Sequence, residues 1–514
     1  MPPGRGARAT AALGMSAMFL LAACGGGSGG DSGGDTSASG DNCDKTLTMA
    51  LENTVNGWDF RRQVGGGHAW IQWRAVYDTL LQSDVEDRSI QPGAAEKWSY
   101  NEDKTELTLT MREGTTFTDG APVDAEAAKA SLEAFRDGGG PVASRLRGIE
   151  VAVVDDMTLT LTLPAPNPAL LNHLSDAAGV LVSPASIGSP TMDTEPVGSG
   201  PYTLNLQETV TGSKLIYDRN PDYWNSDEFP YDKLEFQVMA DETAQLNALA
   251  SGQIDGAEIL SANVQKAESQ GAHVEAFPSV MSGFFLADRA GTKIPALGDV
   301  RVRQAINMVF DRDAIAKAIW NGHGTASPQL FSPGTSGFQE DLLDHYDYDV
   351  EAAKELMAEA GYANGFDVVL PEIGGYQDEY TAITVQQLGL LNIRAEVLPV
   401  PRAEALPRLV SGEFPMFVYK VPSNVEVSVV SNYVVPTAGL NPFKSEAPEL
   451  KALLAEWAVA DPDETADIYQ GINEFLVENA WFAPFGNPDV SWAFNECTTI
   501  RGTVGGTPPL QTFE

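Results

Sequence analysis

Apolar and polar residues alternate in the stretch that follows Ile90, and this alternation gives the clearest local prediction in the chain. Leu107, Leu109 and Met111 are separated by single polar residues, which is the period of a strand that buries one face. A polar turn at residues 101–104 precedes that strand. The pattern therefore predicts a β-hairpin whose second strand packs against a core.

Helical periodicity follows three aspartates that can each cap a helix, Asp124, Asp299 and Asp349. An aspartate at this position accepts a hydrogen bond from an otherwise unpaired N–H group of the first helical turn. The residues that recur at helical spacing after the first two aspartates are Ala128, Ser131, Leu132, Phe135, Val302, Ala305, Ile306 and Val309. The pattern predicts helices that begin at these aspartates, and glycines 138 and 361 mark the ends of the first and third.

The size and charge of the chain limit what it can be. Its 514 residues exceed the usual length of one domain, and its 43% hydrophobic content is ample for a packed core. The formal net charge is −39, and the acidic residues are scattered along the chain. A surface this acidic repels nucleic acid and anionic lipid, so neither is an expected partner. We interpret the charge as a solvated surface rather than an acidic binding patch.

The first 23 residues have the composition of a signal peptide. Arg5 and Arg8 precede an apolar run, Ala9–Leu21, that is shorter than the roughly 20 apolar residues a membrane-spanning helix needs. The run leads into the tetrapeptide LAAC, which ends at Cys24 and resembles a bacterial lipobox, in which the cysteine is diacylated. An ordinary signal peptide with A-x-A-like cleavage is the alternative. The Gly- and Ser-rich residues 25–42 favour the lipobox, because they form a flexible tether behind an anchored cysteine.

No arrangement of residues in the sequence indicates catalysis or a metal site. The chain has no G-x-S-x-G motif and no Cys–His pairing, and none of its histidines shows the spacing of zinc ligands. These isolated histidines are His68, His173, His273, His323 and His345. The sequence therefore predicts a protein without catalytic residues, metal ligands or a cofactor.

A long ordered motif surrounds the predicted hairpin. Its residues are Pro92, Ala94, Ala95, Trp98, Asp103, Leu109, Met111, Arg112, Gly114, Phe117, Asp119, Gly120, Pro122 and Ala125. Further segments match at residues 197–202 (VGSGPY), 217–224 (YDRNPDYW) and 299–306 (DVRVRQAI). In order and residue type these segments resemble the peptide- and nickel-type solute-binding proteins of ABC importers, the bacterial extracellular solute-binding protein family 5. The resemblance covers nearly all of residues 45–495.

The resemblance implies an α/β fold with two lobes, like the type II (cluster C) periplasmic binding proteins, with an extra small α+β subdomain in the first lobe. It implies the following organisation: signal peptide 1–23; lipidated cysteine and tether 24–42; first lobe 43–80, 185–285 and 486–514, with the accessory subdomain at 81–184; second lobe 286–485.

The resemblance also implies the function of an extracytoplasmic receptor. A peptide or similar small polar solute would bind between the lobes, which close around it by a hinge and deliver it to the permease and ATPase of an importer. We expect a monomer, held at the outer face of the cell membrane only by lipidated Cys24. An oligosaccharide or a metal chelate is the alternative ligand. A secreted hydrolase and a surface adhesin or chaperone are the alternatives from other classes.

The resemblance places candidate ligand contacts in two parts of the chain. The loop after the first strand faces the ligand in this family, which implies a contact from Trp58. Core packing is the commoner use of aromatic residues in so dense a cluster. The remaining aromatic contacts that the resemblance implies are Tyr419, Tyr433, Phe443 and, near the hinge, Phe485.

Lys420 is the residue at which the sequence departs from the family pattern. Peptide binders of the family commonly carry an acidic residue near this position, where it holds the peptide α-amine. An ammonium group cannot hold an amine, and it favours a carboxylate, a phosphate or polar oxygens. The alternative is that Lys420 only extends its amine to solvent.

The chain has three cysteines, an odd number that the lipobox would explain. If Cys24 carries lipid, Cys43 and Cys497 remain in an oxidising compartment. In the family fold the first strand and the C-terminal segment belong to one lobe, so the resemblance implies a Cys43–Cys497 disulfide. Two free thiols are the alternative.

Overall fold

A computed structural model describes residues 45–514, apart from residues 56, 64, 66, 375–377, 462, 463 and 505 and the side chains of residues 378 and 403. The strands, in chain order, are β1 (Thr46–Leu51), β2 (Leu81–Ser83), β3 (Ile90–Pro92), β4 (Ala95–Tyr100), β5 (Glu106–Met111), β6 (Glu150–Asp155), β7 (Thr158–Thr162), β8 (Tyr202–Leu204), β9 (Lys214–Arg219), β10 (Lys233–Val238), β11 (Gly256–Ile259), β12 (His273–Phe277), β13 (Val280–Phe285), β14 (Gly324–Ala326), β15 (Asp367–Ile373), β16 (Arg394–Val400), β17 (Phe417–Pro422), β18 (Phe482–Pro488) and β19 (Val490–Phe494).

The α-helices are α1 (Gly67–Val76), α2 (Ala125–Asp137), α3 (Leu170–Leu174), α4 (Glu242–Ala250), α5 (Val264–Ser269), α6 (Val300–Met308), α7 (Arg312–Ile319), α8 (Val350–Glu359), α9 (Asp378–Gly389), α10 (Arg402–Val410), α11 (Glu426–Val429), α12 (Pro448–Trp457) and α13 (Ala466–Glu478). A π-helical turn, Val430–Val434, follows α11 directly. Among the described residues, none of these helices has the length and apolarity to cross a membrane.

The first lobe is built on a mixed sheet with the strand order β12-β19-β11-β1-β10-β9-β8. β1 pairs in parallel with β10 and β11, and β19 from the C-terminal end lies antiparallel between β11 and β12. Leu47 and Met49 of β1 and Trp492 and Phe494 of β19 are buried in one apolar core. The first strand and the C-terminal segment therefore belong to the same lobe.

The predicted hairpin and its following helix lie in residues 81–184, the segment that the resemblance assigns to an accessory subdomain. β4 and β5 pair antiparallel, with Trp98 opposite Leu109, and they continue into a sheet with the order β4-β5-β7-β6. α2 begins at Asp124, whose carboxylate accepts a hydrogen bond from the N–H of Ala127 at 2.9 Å, and it ends at Gly138. The buried face of α2 contains the four residues that the periodicity selected, so the hairpin and helix predictions are confirmed.

The second lobe is built on a smaller antiparallel sheet with the order β14-β18-β13-β17, beside a parallel pair, β15 and β16. At the core of this lobe Phe285 stacks on Phe417, with ring centroids 5.1 Å apart, and meets Phe482 edge-on at 5.1 Å. The carboxylates of Asp299 and Asp349 cap α6 and α8, as the sequence predicts.

The chain crosses between the two sheets at Ser279, between β12 and β13, and at Asp489, between β18 and β19. The sequence placed the lobe borders at 285/286 and 485/486, which fall at the end of β13 and inside β18. In the structure these two strands pair with each other in the second sheet. Each strand is buried along its whole length, which explains why a buried apolar run did not reveal the lobe to which it belongs.

Candidate ligand cleft

A cavity of about 200 Å³, which we call the inner cavity, lies between the two lobes. The first lobe contributes residues of α1, α3 and the C-terminal segment, and the second contributes residues from β17 to the π-helical turn. Lining residues from the first lobe include Trp70, Arg74, Arg145, Asn172 and Asp176. Lining residues from the second lobe include Pro422, Val425, Ser428, Asn432 and Tyr433.

The wall of the inner cavity carries more positive than negative charge. Arg145 Nη1 lies 2.8 Å from Asp176 Oδ2, and Arg74 Nη1 lies 3.7 Å from the buried carboxylate of Asp78, behind the wall. Burial raises the pKa of Asp78, which weakens it as a counter-ion despite the opposing effect of Arg74. Burial and the charge of Arg145 lower the pKa of His173 to about 3, so this ring is neutral. Two guanidinium groups thus share the wall with one carboxylate.

A second and larger cavity, the outer cavity, has a volume of about 880 Å³ and also lies between the lobes. Asn172 and Val425 line both cavities, so the two adjoin and form one cleft. The first lobe contributes mainly the accessory subdomain, and the second contributes α11, α12, α13 and the loops beside them. A cleft of this size, walled by two lobes, has the form of a small-molecule site.

Aromatic residues from both lobes line the outer cavity. Trp98 and Tyr100 stand on β4 of the first lobe, and Trp457 and Tyr469 stand on α12 and α13 of the second. Trp457 Nε1 donates to the hydroxyl of Tyr469 at 3.1 Å, which fixes both rings. Burial raises the pKa of Tyr100 to about 12, so its hydroxyl keeps its proton. Trp98 and Tyr100 are half-buried and offer an apolar wall to a ligand side chain, whereas Trp457 and Tyr469 are 5% and 7% exposed and pack in the second lobe's core behind the opposite wall.

The ionisable residues around the outer cavity are mostly acidic. The acids are Glu86, Asp87, Glu102, Glu426 and Asp461. The bases are Arg88 and Lys104. The outer cavity therefore has an excess of negative charge, opposite in sign to that of the inner cavity.

Both bases of the outer cavity bridge the two lobes. Lys104 Nζ lies 2.7 Å from Asp461 Oδ1 and donates to the carbonyl oxygen of Ala460 at 2.9 Å. Arg88 Nη1 donates to the carbonyl oxygen of Gly334 at 3.3 Å. Since each contact joins residues of different lobes, it exists only while the lobes are together.

A second group of charged residues meets at another part of the lobe boundary. Arg402 Nη1 of the second lobe lies 3.4 Å from Glu52 Oε1 of the first. His68 Nε2 lies 2.7 Å from Glu258 Oε2, and the N–H of Glu52 donates to His68 Nδ1 at 3.1 Å. A neutral His68 ring therefore carries its proton on Nε2. Lys420 of the second lobe acts electrostatically on Glu258.

The pKa values at this boundary reflect the charges of both lobes. Burial raises the pKa of Glu258, but the hydrogen bond from His68 and the charges of His68 and Lys420 outweigh burial and leave the pKa below its ordinary value. Burial lowers the pKa of His68, but Glu258 and Glu52 outweigh it and leave that pKa raised. Acidic groups of the first lobe thus face basic groups of the second.

Three of the candidate contacts from the sequence lie on the second lobe's side of the boundary. Tyr433 lines the inner cavity, and its hydroxyl donates to the carbonyl oxygen of Pro422 at 3.0 Å. Tyr419 is half-buried and packs against the core of the second lobe. Lys420 is half-buried, and its charge helps to lower the pKa of Glu258 in the first lobe.

The other candidate contacts lie in or against the lobe cores. Trp58 is 4% exposed, and its ring packs against Trp73 at a centroid distance of 5.6 Å. Phe485 is fully buried and stacks on Tyr380 at 5.6 Å. Phe443 is partly buried against the second lobe's core. The structure thus places Trp58 and Phe485 inside their lobes, because strands and loops distant in sequence cover them.

Of the three cysteines, only Cys497 falls within the described residues, where it is disulfide-bonded. Cys24 and Cys43 lie outside the described residues. The Cys43–Cys497 pairing and the lipidation of Cys24 therefore stay predictions.

The sequence reasoning missed most of the cleft wall. Arg145 and Asp176 come from segments that carry no local motif, and only folding brings them together. Trp98 offered a usable signal, since it belongs to the family motif and alternates with polar residues in the first strand of the predicted hairpin. The described residues contain no cluster of three or more histidine, cysteine, aspartate or glutamate side chains that could hold a metal ion.

Comparisons with known proteins agree with this architecture. A probable peptide ABC transporter periplasmic-binding protein, y4tO of Sinorhizobium fredii, is 25% identical over 502 residues, covering 91% of this chain and 92% of the relative. Heme-binding protein A of Haemophilus influenzae is 26% identical over 380 residues, 68% of each chain. The structure of the periplasmic binding protein DppA from Helicobacter pylori, in complex with peptide STSA, superposes with a TM-score of 0.76 at 19% identity. It covers 91% of this chain and 97% of DppA.

The fold is therefore that of the two-lobed, cluster C periplasmic binding proteins. The family model described as "Bacterial extracellular solute-binding proteins, family 5 Middle" matches residues 89–445, which is more than half of the chain. The chain belongs to the bacterial extracellular solute-binding proteins of family 5, and its role is that of the non-catalytic solute-binding protein of an ABC importer.

Proposed function

We propose that this chain binds short peptides in the cleft between its lobes and delivers them to an ABC permease. The observation that carries the proposal is the cleft itself, in which the two lobes supply both signs of charge together with aromatic walls. A peptide has ionised ends, a polar backbone and side chains of mixed polarity, and each of these finds a partner there. The relative from Sinorhizobium fredii is named a probable peptide ABC transporter periplasmic-binding protein, which supports the same class of ligand.

Closure of the lobes would couple ligand capture to recognition by the permease. A ligand that touches both lobes stabilises the closed arrangement, because it binds that arrangement better than the open one. The contacts of Lys104 with Asp461 and of Arg402 with Glu52 add to closure but need no ligand. Tyr433, which already lines the inner cavity, is our assignment for a direct ligand contact from the second lobe.

We propose that the receptor works at the outer face of the cell membrane as a lipid-anchored monomer. The LAAC tetrapeptide and the Gly- and Ser-rich residues 25–42 support an anchor at Cys24 and a flexible tether. A Cys24→Ala variant should lose incorporation of labelled fatty acid and leave the membrane fraction. Membrane retention and continued labelling of that variant would contradict the anchor.

Binding is tested on the purified full-length protein with panels of peptides, oligosaccharides and metal chelates. Native mass spectra identify any ligand that is retained from the host, and the melting temperature is then measured with each compound. A ligand at about 100 times its dissociation constant stabilises the folded state by ~2.7 kcal/mol, which is a measurable shift. Peptide hits support the proposal. Hits confined to oligosaccharides or chelates would keep the receptor but replace its ligand class, and the absence of any hit would overturn the peptide assignment.

A further inference from the structure

We infer that the cleft holds its peptide in one direction, with the carboxylate end in the inner cavity and the ammonium end in the outer cavity. This inference rests on the proposed function, and it adds the polarity and the minimum length of the ligand. It follows from the opposite charges and the unequal sizes of two adjoining cavities.

The inner cavity suits a carboxylate. Arg145 and Arg74 both line it, whereas Asp176 is the carboxylate that lines it with them and His173 is neutral because burial lowers its pKa. A guanidinium has five N–H donors, and the ion pair with Asp176 engages Nη1 of Arg145. A ligand carboxylate can therefore join that ion pair from the cavity side, and guanidinium groups bind carboxylates with good geometry.

The outer cavity suits an ammonium group. Its lining contains five acidic and two basic residues. The acidic residues come from both lobes, for example Glu102 from the first and Glu426 from the second. Lys104 is already paired with Asp461, and Arg88 reaches the carbonyl oxygen of Gly334. An ammonium group placed among the remaining carboxylates lowers the electrostatic energy of the closed form.

The two volumes set the length of the ligand. The outer cavity, at about 880 Å³, is more than four times as large as the inner cavity, at about 200 Å³. The inner cavity holds little more than a terminal residue, while the outer cavity alone lies near the upper end of the ~300–1,000 Å³ range of ligand pockets. We therefore expect peptides longer than two residues, with an apolar or aromatic side chain near the amino end, beside Trp98 and Trp457.

The test compares three forms of one peptide, Phe-Ala-Ala-Ala, on the purified full-length protein by isothermal titration calorimetry. The forms are the free peptide, its C-terminal amide and its N-acetyl derivative. Loss of one charge-assisted contact should weaken binding about tenfold to hundredfold. In the Arg145→Gln variant, the difference in affinity between the free peptide and its C-terminal amide should become smaller. The difference in affinity between the free peptide and its N-acetyl derivative should not change. Arg147→Gln is the matched control, because Arg147 is exposed and lies outside both cavities.

The reciprocal variant is Glu102→Gln combined with Glu426→Gln. In this variant, the difference in affinity between the free peptide and its N-acetyl derivative should become smaller. The difference in affinity between the free peptide and its C-terminal amide should not change. Glu126→Gln with Glu474→Gln is the control pair, since both residues are exposed and outside the cavities. The opposite assignment of the two preferences, or equal binding of all three peptide forms, would overturn the orientation while leaving peptide binding intact. A protein that binds none of the forms overturns the proposed function and the orientation together.

A measurement on the unaltered protein covers the case in which a variant fails to fold. A photoreactive phenylalanine is placed at the first or the last position of the peptide, and the crosslinked residues are mapped by mass spectrometry. The first position should label the walls around Trp98 and Trp457, and the last should label those around Trp70 and Tyr433. Exchange of the two patterns would overturn the orientation.

Discussion

Two sets of aromatic side chains in this protein differ in whether they line the cleft between the lobes. Trp58, Trp73, Tyr77 and Tyr217 pack against one another inside the first lobe, with Trp73 and Tyr77 stacked at 5.1 Å. The set around the outer cavity draws Trp98 and Tyr100 from the first lobe and Trp457 and Tyr469 from the second. We call these sets the core aromatics and the cleft aromatics.

The two sets of aromatic residues should therefore contribute to different properties, the core aromatics to stability and the cleft aromatics to ligand binding. The core aromatics are surrounded by residues of a single lobe, so opening of the lobes leaves their burial unchanged. The walls that carry the cleft aromatics meet only when the lobes close, so a ligand between them changes the solvent exposure of the half-buried Trp98 and Tyr100. Trp457 and Tyr469 are 5% and 7% exposed and pack in the second lobe's own core, so they form the floor of the opposite wall. A substitution among the core aromatics should therefore act on unfolding, and a substitution among the cleft aromatics should act mainly on ligand affinity.

The largest expected effect is that of Trp58→Ala. The indole is 4% exposed, and its removal leaves a cavity beside Trp73 and Tyr77. Substitutions of this kind cost about 3–5 kcal/mol of unfolding free energy. Denaturant titration of the purified protein measures the change. The ligand affinity of the folded variant should stay within about twofold of that of the unaltered protein. A loss of affinity without a loss of stability would instead indicate that Trp58 contacts the ligand.

Trp98→Ala is the matched substitution among the cleft aromatics. Its indole is half-buried, so we expect a smaller loss of unfolding free energy, about 1–2 kcal/mol. Ligand affinity should fall about threefold to tenfold, because an aromatic contact contributes ~0.5–1.5 kcal/mol beyond its buried area. Calorimetric titration with a peptide that carries an aromatic residue measures the affinity. Unchanged affinity would contradict the assignment of the outer cavity to the ligand.

Much of the fold could be predicted from short stretches of the sequence. The alternation of Leu107, Leu109 and Met111 predicted β5, and the caps at Asp124 and Asp299 predicted the starts of α2 and α6, because each signal lies within a few residues. The overall arrangement followed from the ordered motif and its family resemblance. The lobe borders did not follow, since β13 and β18 are buried runs whose partners lie far away in sequence.

The site was less predictable, because burial depends on distant segments. The loop composition around Trp58 indicated exposure, but the carbonyl oxygen of Asp193, 135 residues along, accepts the Trp58 N–H at 3.2 Å and covers the loop. Tyr433 was placed in a ligand-choosing region by family resemblance, and it lines the inner cavity. No residue near Arg145 in the sequence indicates that it lines the cleft, because its partner Asp176 and the opposing wall come from other segments.

Tyr433→Phe tests the inner cavity with the smallest change of shape. It removes the hydrogen bond that the Tyr433 hydroxyl donates to the carbonyl oxygen of Pro422 and leaves the ring in place. We expect a loss of about 0.5–1.5 kcal/mol in unfolding free energy. A loss of peptide affinity beyond that of a Tyr419→Phe control, whose ring is half-buried outside the cavity lining, would mark a direct contact. Equal affinities in the two variants would argue against it.

His68, at the second group of charged residues on the lobe boundary, gives a pH-dependent prediction. Its ring meets the buried Trp492 at 5.7 Å, while its nitrogens face Glu258 and the Glu52 N–H. Glu258 and Glu52 raise the pKa of His68 above its unfolded value against the opposing effect of burial, with Lys420 also near. The protonated ring therefore stabilises the fold below about pH 6.5, and this stability is lost as pH rises through the raised pKa.

The measurement is the difference in unfolding free energy between the unaltered protein and His68→Gln at pH 6 and at pH 9. The unaltered protein should have its larger advantage at pH 6. His273→Gln is the control, because this histidine also pairs with a glutamate, Glu275 at 2.6 Å, but its side chain is 53% exposed. An advantage that grows toward pH 9 would contradict the sign of the shift at His68.

The smallest expected effect is that of Lys104→Gln, which breaks the ion pair with Asp461 across the outer cavity. A pair this close to solvent contributes only about 0.2–1 kcal/mol, so global unfolding should change little. Closure should be affected more selectively, because this contact is made only when the walls bearing Trp98 and Trp457 meet. We expect a larger radius of gyration without ligand, and recovery of the compact value when peptide is added, both measured by solution scattering. Lys354→Gln breaks an exposed pair within the second lobe and should change neither value. If the two variants scatter alike without ligand, the outer cavity closes without help from Lys104, which would contradict a role of this ion pair in closure.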